Sequence, residues 1–262
     1  MSEKQLEFLA NNLPNPQAYT GRPAYSNREL LPGILKVLRS GCRWRDLNLE
    51  EYPDGSTHWR RLQFWKRKKQ FVSLWELLLR LLREEDKLSF NKVSLDGSLI
   101  QSFAFKDNTG YSGKHHKTGV KISTIADGNG IPIALITAKG NIVDITLAER
   151  TVDGIHLAQS SLQGSDLLAD KGYDSFEFRK FFTEHDLMPH IPKRKTTKVT
   201  DKNSWYYLYT KAQGKWRFVI ERSNAWIKSF RRLRMRFDYK FSSFEALLYL
   251  AIIVICVRKL LS

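Results

Sequence analysis

The sequence predicts an α/β protein in which a mixed β-sheet flanked by helices follows a small all-helical N-terminal domain. Apolar residues recur at helical spacing before residue 88, and strand-like alternation with a hairpin signal begins at residue 93. Short strands then alternate with helices, and further helices end the chain. Such an order is typical of two domains, which we place at residues 1–88 and 89–262.

The N-terminal domain is predicted to contain three helices after a loose, Pro- and Asn-rich lead-in over residues 1–25. The first helix has two possible starts. It begins either at a capping box formed by Ser26 with Glu29, or at Pro32 in the first helical position. Gly41 indicates its C-terminal end.

The next two helices have clear sequence signals of their own. Trp59, Leu62 and Trp65 recur at helical spacing and predict the second helix. Ser73 with Glu76 forms a capping-box pattern, which predicts a third helix that runs through residue 82.

Strand signals begin at residue 93, where apolar and polar residues alternate. The strand-like runs 120–125 and 131–137 are joined by Asp-Gly-Asn-Gly at residues 127–130, a strong hairpin signal. Further elements are then predicted in the following order: a helix over residues 144–155, a buried strand over 166–169, a helix capped by Asp174 and Glu177, a strand over 187–191, and a basic polar loop over 193–203.

Two helices are predicted to end the chain, over residues 215–232 and after a capping box of Ser242 with Glu245. The longest apolar run, residues 246–257, indicates a buried helix. Because the sequence has no apolar stretch near 20 residues, we expect no membrane-spanning helix.

The charge balance points to a polyanionic partner. The 262 residues include 43 Lys and Arg against 27 Asp and Glu, a net charge of +16. Such a chain repels itself unless a polyanion neutralises it, which favours nucleic acid as the partner. The 42% hydrophobic and 12% aromatic content excludes a disordered chain. Two distant cysteines, Cys42 and Cys256, indicate neither a disulfide framework nor a zinc site and fit a reducing cytoplasm.

Three acidic residues have contexts that suit catalysis. Asp96 lies in or at the end of the first predicted strand, Asp170 follows a short buried strand, and Glu221 lies inside a helix. Arg217 and Lys228 are four and seven residues from Glu221, so the three side chains share one helical face. Convergent carboxylates could hold two Mg²⁺ ions about 3.5–4 Å apart, an arrangement used in phosphoryl transfer. By spacing alone, however, an Asp after a strand is more often a cap or turn residue.

Several motifs occur together in a fixed order. They are Ser-Leu-Asp-Gly-Ser at 94–98, Gly-Ile-Pro at 130–132, Gly-Asn-x2-Asp at 140–144, Ala-Asp-Lys-Gly-Tyr-Asp at 169–174 and Arg-x3-Glu-x6-Lys at 217–228. The ordered set resembles the DDE transposases of bacterial insertion sequences, whose catalytic core has a ribonuclease H-like fold. Residues 38–47 and 59–65 resemble the N-terminal domain of the same family, so the resemblance covers nearly the whole chain.

The resemblance implies a DNA transposase that cleaves strands at terminal inverted repeats and transfers them into target DNA. It implies that Asp96, Asp170 and Glu221 bind two Mg²⁺ (or Mn²⁺) ions, and that Arg217 and Lys228 complete the catalytic signature. It also implies double-stranded DNA as partner, no membrane, a homodimer assembled on DNA and a cytoplasmic, nucleoid-associated location. Asp144 is expected to cap the helix that follows it.

One position departs from the family pattern. The signature begins with Tyr three residues before the Arg, and this chain has Gly214 there, although Trp216 is near. The departure puts the tyrosine's contribution in doubt and suggests reduced activity.

Two basic clusters are predicted to contact DNA, one within residues 60–69 and one within residues 215–240. The residues predicted for this role are Arg60, Arg61, Lys66, Arg67, Arg222, Arg231, Arg232, Arg234 and Arg236. The N-terminal helices form either a helix-turn-helix-like unit that reads the terminal repeats or a small bundle that supports the core or a dimer contact.

Two other functions are compatible with the sequence. One is a non-catalytic, transposase-derived DNA-binding protein or regulator, which the Gly214 departure favours and the three retained acids oppose. The other is a ribonuclease or repair nuclease on the same fold, which cleavage without regard to terminal sequence would favour.

Overall fold

The computed structural model describes residues 1–17, 23–103, 107–155, 162–193, 210 and 214–262. The chain divides into two compact units. The helical unit comprises Met1–Glu85, Ser102–Asp107 and Trp226–Ser262, and the sheet unit comprises Asp86–Gln101 and Asn108–Ala225. The structure thus divides the chain differently from the predicted boundary after residue 88, because the C-terminal helices pack with the N-terminal ones.

The described helices and strands are as follows. The helices are α1 Glu3–Asn12, α2 Asn27–Ser40, α3 Gly55–Arg67, α4 Gln70–Glu84, α5 Asp144–Asp153, α6 Phe176–Glu184, α7 Phe218–Ser229, α8 Arg231–Arg234 and α9 Phe241–Leu260. The strands are β1 Lys92–Ser102, β2 Gly110–Ser112, β3 Lys117–Ala126, β4 Pro132–Lys139, β5 Asp166–Leu168, β6 Met188–His190 and β7 Met235–Arg236.

The helical unit begins with a helix that the sequence analysis missed. Helix α1 lies in the predicted loose lead-in and starts with a capping box in which Ser2 and Gln5 satisfy each other's backbone N–H groups. Its Leu9 is fully buried. The signal was present in the spacing of Ser2 and Gln5, but the Pro- and Asn-rich residues after it masked the short amphipathic pattern.

Helix α2 resolves the choice between its two predicted starts. Ser26 is the N-cap and forms the capping box with Glu29, so Pro32 lies inside the helix. At the other end, Gly41 has a φ of 77° and its N–H bonds the carbonyl of Val37. A left-handed residue here is the usual way to end a helix, and glycine adopts it without steric cost.

Helices α4 and α9 form the core of the helical unit, and both predicted capping boxes are wrong. Ser73 lies inside α4, which starts after Lys69, a residue in the left-handed conformation. Helix α9 starts after Lys240, with no side-chain cap. Packing of apolar faces sets these starts, since Trp75 on α4 and most side chains of α9 are buried.

The C-terminal apolar segment is longer than the sequence analysis expected. Helix α9 has 20 residues and, among the described helices, is long and apolar enough to cross a membrane by length and composition alone. However, 72% of its apolar window is buried inside the structure, as in the core helix of a globular unit.

The sheet unit contains the predicted mixed sheet. Its strands lie in the order β4, β3, β1, β5 and β6. Strand β3 is antiparallel to both β4 and β1, whereas β5 is parallel to β1 and β6 is parallel to β5. The short strand β2 also pairs with β3. Antiparallel strands followed by parallel strands on the other side of β1 form the ribonuclease H-like arrangement.

The predicted hairpin of β3 and β4 is confirmed, and a buried carboxylate organises its turn. Asp127 Oδ1 accepts hydrogen bonds from the backbone N–H groups of Asn129 (3.1 Å) and Ile131 (2.6 Å). Its Oδ2 accepts from the N–H of Ser89 at 2.8 Å. The turn is thereby fixed to the segment that leads into β1.

The remaining predicted elements of this unit are also present, with one change of cap. Helix α6 is capped by Ser175, whose hydroxyl accepts from the N–H of Phe178, rather than by Asp174. Asp174 instead pairs with Arg179 at 2.8 Å. Apart from Lys193, the predicted basic loop over residues 193–203 lies outside the described residues.

We expect Asp127→Ala to destabilise the protein by about 3 kcal/mol or more, because it leaves buried backbone donors without an acceptor. Chemical denaturation of the variant measures the loss. Asp153→Ala, at an exposed position on the last turn of α5, is the matched control and should change stability by less than about 0.5 kcal/mol. Equal stability of the two variants would contradict the assigned role of Asp127.

Candidate active site

The register of the parallel strands brings two of the predicted acids to one edge of the sheet. In that register Ser94 of β1 pairs with Leu168 of β5. Asp96 and Asp170 each lie two residues further along, and neighbouring strands are about 4.8 Å apart. The pairing of β1 with β5 therefore places both acids at the same edge of the sheet, at the point where β5 ends and β1 continues.

Asp170 begins a short 3-10 turn, Lys171–Tyr173. Its Oδ1 accepts a hydrogen bond of 2.6 Å from the N–H of Lys171, so the carboxylate caps the turn that it starts. This is the cap that spacing alone suggested as the alternative to a ligand. The carboxylate also has a charged partner, which links it to the third acid.

That partner is Arg217, which lies between two of the acids. Its guanidinium is 3.5 Å from Asp170 Oδ1 and 3.9 Å from Glu221 Oε1. Arg217 ends the 3-10 turn that leads into α7, and Glu221 lies on the first turn of that helix. The predicted i, i+4 proximity of Arg217 and Glu221 is therefore present.

Helix α7 also contacts the remaining acid, through a residue that the sequence analysis missed. Asn224 Nδ2 donates a 3.1 Å hydrogen bond to Asp96 Oδ2. Asn224 follows Glu221 by three residues, a spacing that puts the two on one helical face. That spacing was the available signal. Strands β1 and β5 and helix α7 thus bring Asp96, Asp170 and Glu221 to one region of the sheet unit.

Asp96 has the most perturbed environment of these acids. Burial raises the pKa of its carboxyl, and the nearby charge of Asp144 acts in the same direction. The N–H of Gly97 and the cations Arg217 and Lys114 oppose this effect on the pKa. A half-buried carboxyl with a raised pKa beside other acids is typical of functional sites.

Asp144 is a fourth acid of this region. Its expected role as a helix cap is wrong, because Val143 is the N-cap of α5 and no side chain caps the helix. Instead, Asp144 Oδ1 is 2.9 Å from Nζ of Lys121, a nearly buried lysine on β3. A Cβ at Gly97 would overlap the Asp144 carboxylate, so the bare backbone beside Asp96 makes room for it.

Tyr173 is a buried aromatic residue near these acids. Its ring is 2% exposed and stacks on Phe178 with centroids 6.0 Å apart. Burial raises the pKa of the Tyr173 phenol, and the carboxylates of Asp144, Asp96 and Asp170 raise it further. Among the described residues its buried hydroxyl has no hydrogen-bond partner, an arrangement that costs on the order of 1–3 kcal/mol.

The chemistry of these donors suits a hard divalent cation. Carboxylate oxygens are the ligands that Mg²⁺ and Mn²⁺ prefer, and buried polar atoms without hydrogen-bond partners lie among them, on Tyr173, Asp144 and Asn224. In the described parts of the chain, no three acidic, histidine or cysteine side chains are close enough to hold one ion together. Arg217 instead supplies the positive charge between Asp170 and Glu221.

The other two positions of the family signature are Lys228 and Gly214. Lys228 lies on the last turn of α7, in the part that belongs to the helical unit, and is half-buried. Gly214 begins the 3-10 turn before α7. Trp216, two residues later, is 45% exposed and stacks on Phe218 with centroids 6.2 Å apart.

The residues predicted to contact DNA differ in exposure. Arg60, Arg67, Arg231 and Arg234 are exposed on the helical unit. Lys66 is half-buried and pairs with Glu245 at 2.8 Å. In the sheet unit, half-buried Arg222 donates to the carbonyl of Asn129 at 2.9 Å.

The other three arginines are inside the helical unit. Arg61 donates to Asn27 and to the carbonyl of Tyr25. Arg232 pairs with Asp238 at 2.9 Å, and Arg236, with no exposed surface, donates to backbone carbonyls that include those of Asp107 and Asp238. These guanidinium groups hold loops of the fold together, which differs from the predicted contact with DNA. The dense run of basic residues gave no sign of which side chains point inward.

Two family models match the chain. The model described as "Transposase DDE domain" matches residues 90–257, which include all the acids discussed above. The model described as "Putative transposase of IS4/5 family" matches residues 1–75.

Two curated proteins of Burkholderia cepacia are similar in sequence. The "Putative transposase for insertion sequence element IS402" is 33% identical over 146 residues, which are 53% of this chain and 64% of that protein. The "Insertion element IS402 uncharacterized 16.2 kDa protein" is 42% identical over 90 residues, which are 34% of this chain and 61% of that protein. The chain thus spans slightly less than two thirds of each relative.

Two solved structures of the Mos1 transposase also match. One is a paired-end complex with the left transposon end, at 11% identity and a TM-score of 0.27, covering 80% of this chain and 82% of that one. The other is a mariner paired-end complex with Mn, at 12% identity and a TM-score of 0.27, covering 86% and 83%. Such low TM-scores support no argument about architecture, which rests on the strand order.

At pH 7 we expect Asp96→Asn to raise the thermal unfolding midpoint of the metal-free protein, because the change removes a charge that burial and the nearby Asp144 disfavour. Because the pKa of Asp96 is raised in the folded state, its contribution to stability is present at low pH and is lost as pH rises through that pKa. The advantage of the variant should therefore grow as the pH rises from about 4 through the raised pKa of Asp96 and stay constant above it.

The control is Asp86→Asn, the same change at an exposed position of the sheet unit, which should leave the midpoint within about 1 °C. A lower midpoint for Asp96→Asn at pH 7 would show that the Asp96 carboxylate stabilises the metal-free fold.

Proposed function

Since the chain belongs to the DDE transposase family, whose model matches most of it, we propose that it is a metal-dependent DNA transposase. It would hydrolyse a phosphodiester bond at each end of an insertion element and join the freed 3′-hydroxyl to target DNA. The observation that supports the proposal is that Asp170 and Glu221 both pair with Arg217, while Asp96 accepts a hydrogen bond from Asn224, three residues after Glu221.

Asp96, Asp170 and Glu221 would hold Mg²⁺ or Mn²⁺, two ions in the proposed form. When bound, such ions activate an attacking oxygen and stabilise the leaving oxygen of a phosphodiester. The metal-free site favours cation binding on electrostatic grounds. The carboxyl of Asp96 is half-buried near the charge of Asp144, so a positive charge in addition to Arg217 would offset the desolvation of Asp96 and its repulsion by Asp144.

Arg217 would also bind the scissile phosphate. It is about one third exposed and lies beside two acids, so its guanidinium can offer donors to phosphate oxygens, which it binds in a forked geometry. Lys228 would bind a phosphate from its place on the last turn of α7. Trp216 lies near the position of the missing signature tyrosine, but its indole offers one donor where a phenol both donates and accepts.

DNA would bind largely through exposed cations of the helical unit. Arg60, Arg67, Arg231 and Arg234 are exposed there, and the net charge of +16 favours association with a polyanion. The proposed assembly on paired element ends is a homodimer. In this proposal the buried arginines 61, 232 and 236 support the surface from inside.

We expect Asp170→Asn to abolish strand cleavage while binding to the element ends survives, because the change removes a ligand charge and keeps the side-chain volume. The assay incubates the protein with a duplex that carries the element's own terminal repeats, with and without millimolar Mg²⁺. Asp153→Asn is the control and should cleave as wild type does.

Three outcomes of this assay separate the alternatives. Full cleavage by Asp170→Asn would remove the proposed role of Asp170. Binding of the ends by wild type with no metal-dependent nicking would favour a non-catalytic regulator. Cleavage that ignored the terminal sequence would favour a general nuclease on the same fold.

We expect the double variant Arg231→Gln, Arg234→Gln to bind duplex DNA more weakly and to lower the slope of log affinity against log salt by roughly two, about one for each lost phosphate contact. Its thermal midpoint should stay near that of wild type because both side chains are exposed. Fluorescence anisotropy over a salt series measures the slope.

The matched comparison is Arg236→Gln, which should lower the thermal midpoint because it removes a fully buried guanidinium from its carbonyl partners. An unchanged salt slope in the double variant would place the DNA surface elsewhere.

A further inference from the structure

We propose that Tyr173 is a positioning residue of the cleavage site, and that its buried hydroxyl donates a hydrogen bond to Asp144 when metal is bound. The inference rests on the proposed function and extends it to two residues outside the three-acid set. The pair would hold Asp144 against β1, and Asp144 would in turn fix the carboxylate of Asp96.

The first observation is a donor without an acceptor. Tyr173 Oη is buried and, among the described residues, has no hydrogen-bond partner. A buried hydroxyl nearly always has one, so an isolated hydroxyl beside a group of acids indicates a partner gained in another state. The neutral phenol is a donor, whereas the carboxylates near it only accept.

The second observation is an acceptor whose hydrogen-bonding capacity is incomplete. Asp144 Oδ1 is buried, and its partner among the described residues is Lys121 Nζ, in an ion pair of 2.9 Å. A carboxylate oxygen can accept a second hydrogen bond besides that one. The 3-10 turn that carries Tyr173 packs against α5, the helix that Asp144 begins, and the charge of Asp144 acts on Tyr173 more strongly than those of Asp96 and Asp170.

The third observation is that both side chains are held by rigid parts of the sheet unit. The Tyr173 N–H bonds the carbonyl of Asp170 at 2.9 Å, and its ring stacks on Phe178, which packs on Phe182 at 4.3 Å. Lys121 is tied to the carbonyl of Ile142 at 2.6 Å. The backbone on both sides of the proposed hydrogen bond is therefore held in place.

The connection to Asp96 is direct on the other side of Asp144. The Asp144 carboxylate lies against the bare Cα of Gly97, the residue after Asp96. A hydrogen bond from Tyr173 would hold that carboxylate in place, and with it the backbone that carries Asp96.

The test removes one oxygen atom at a time. Tyr173→Phe should keep or slightly raise the thermal midpoint, because the lost hydroxyl has no partner in the metal-free protein. Its cleavage rate at saturating DNA should fall about tenfold with little change in the DNA concentration at half-maximal rate. Tyr111→Phe, at an exposed tyrosine of β2, is the matched control and should match wild type within twofold.

A second readout does not depend on cleavage. Calorimetric titration of the free protein with Mn²⁺ should show affinity at least threefold weaker for Tyr173→Phe than for wild type. In a double-mutant cycle, Tyr173→Phe with Asp144→Asn should lose no more affinity than the more damaging single variant, since both act through one hydrogen bond.

The outcomes separate this inference from the proposed function. A wild-type protein that cleaves no DNA but binds Mn²⁺ more tightly than Tyr173→Phe would count against transposase activity alone. Equal Mn²⁺ affinity for wild type and Tyr173→Phe would overturn the role of Tyr173, as would additive losses in the cycle. A fall in the thermal midpoint of several degrees would show that the hydroxyl already has a structural partner, which also overturns it.

Discussion

Mutual repulsion of gathered carboxylates is the constraint on which the sheet unit depends. Asp96, Asp144, Asp170 and Glu221 are brought to one region by strand register and by the start of α7. Like charges at such a place destabilise the fold unless cations stand among them. Arg217 meets this need for Asp170 and Glu221, and Lys121 meets it for Asp144. The protein therefore supplies counter-charges to its gathered carboxylates from its own side chains.

The sheet shows why the positions of Asp96 and Asp170 relative to each other could be predicted from the sequence. A strand that ends in Asp is ambiguous by itself, but parallel pairing of Ser94 with Leu168 leaves little choice in where Asp96 and Asp170 lie. The hairpin was equally predictable because Asp-Gly-Asn-Gly encodes its turn locally. Glu221 followed from helical spacing to Arg217. These are the features for which local chemistry and overall topology agree.

Features fixed by long-range packing could not be predicted in this way. Arg236 has no exposed surface and donates to the carbonyl of Asp107, which is distant in sequence. Its positive charge suggested a contact with DNA, but its hydrogen bonds lie inside the helical unit. The cap predicted at Ser73 fits the pattern, yet α4 begins elsewhere because apolar burial outweighs a single cap. Helix α6 begins one residue later than Asp174 predicts because Ser175 caps it instead. Lys121 was hidden in an apolar strand, and its importance appears only when Asp144 is placed beside it.

The glycine at position 97 illustrates how a site can constrain a residue that has no chemistry of its own. The backbone of Gly97 is not left-handed, so its φ and ψ angles do not require glycine. Glycine fits here because a neighbouring carboxylate occupies the space that a Cβ would need. The side chain at position 144 therefore limits which residues fit at position 97. Alanine at position 97 would displace the Asp144 carboxylate from its present place unless the side chain at position 144 were smaller.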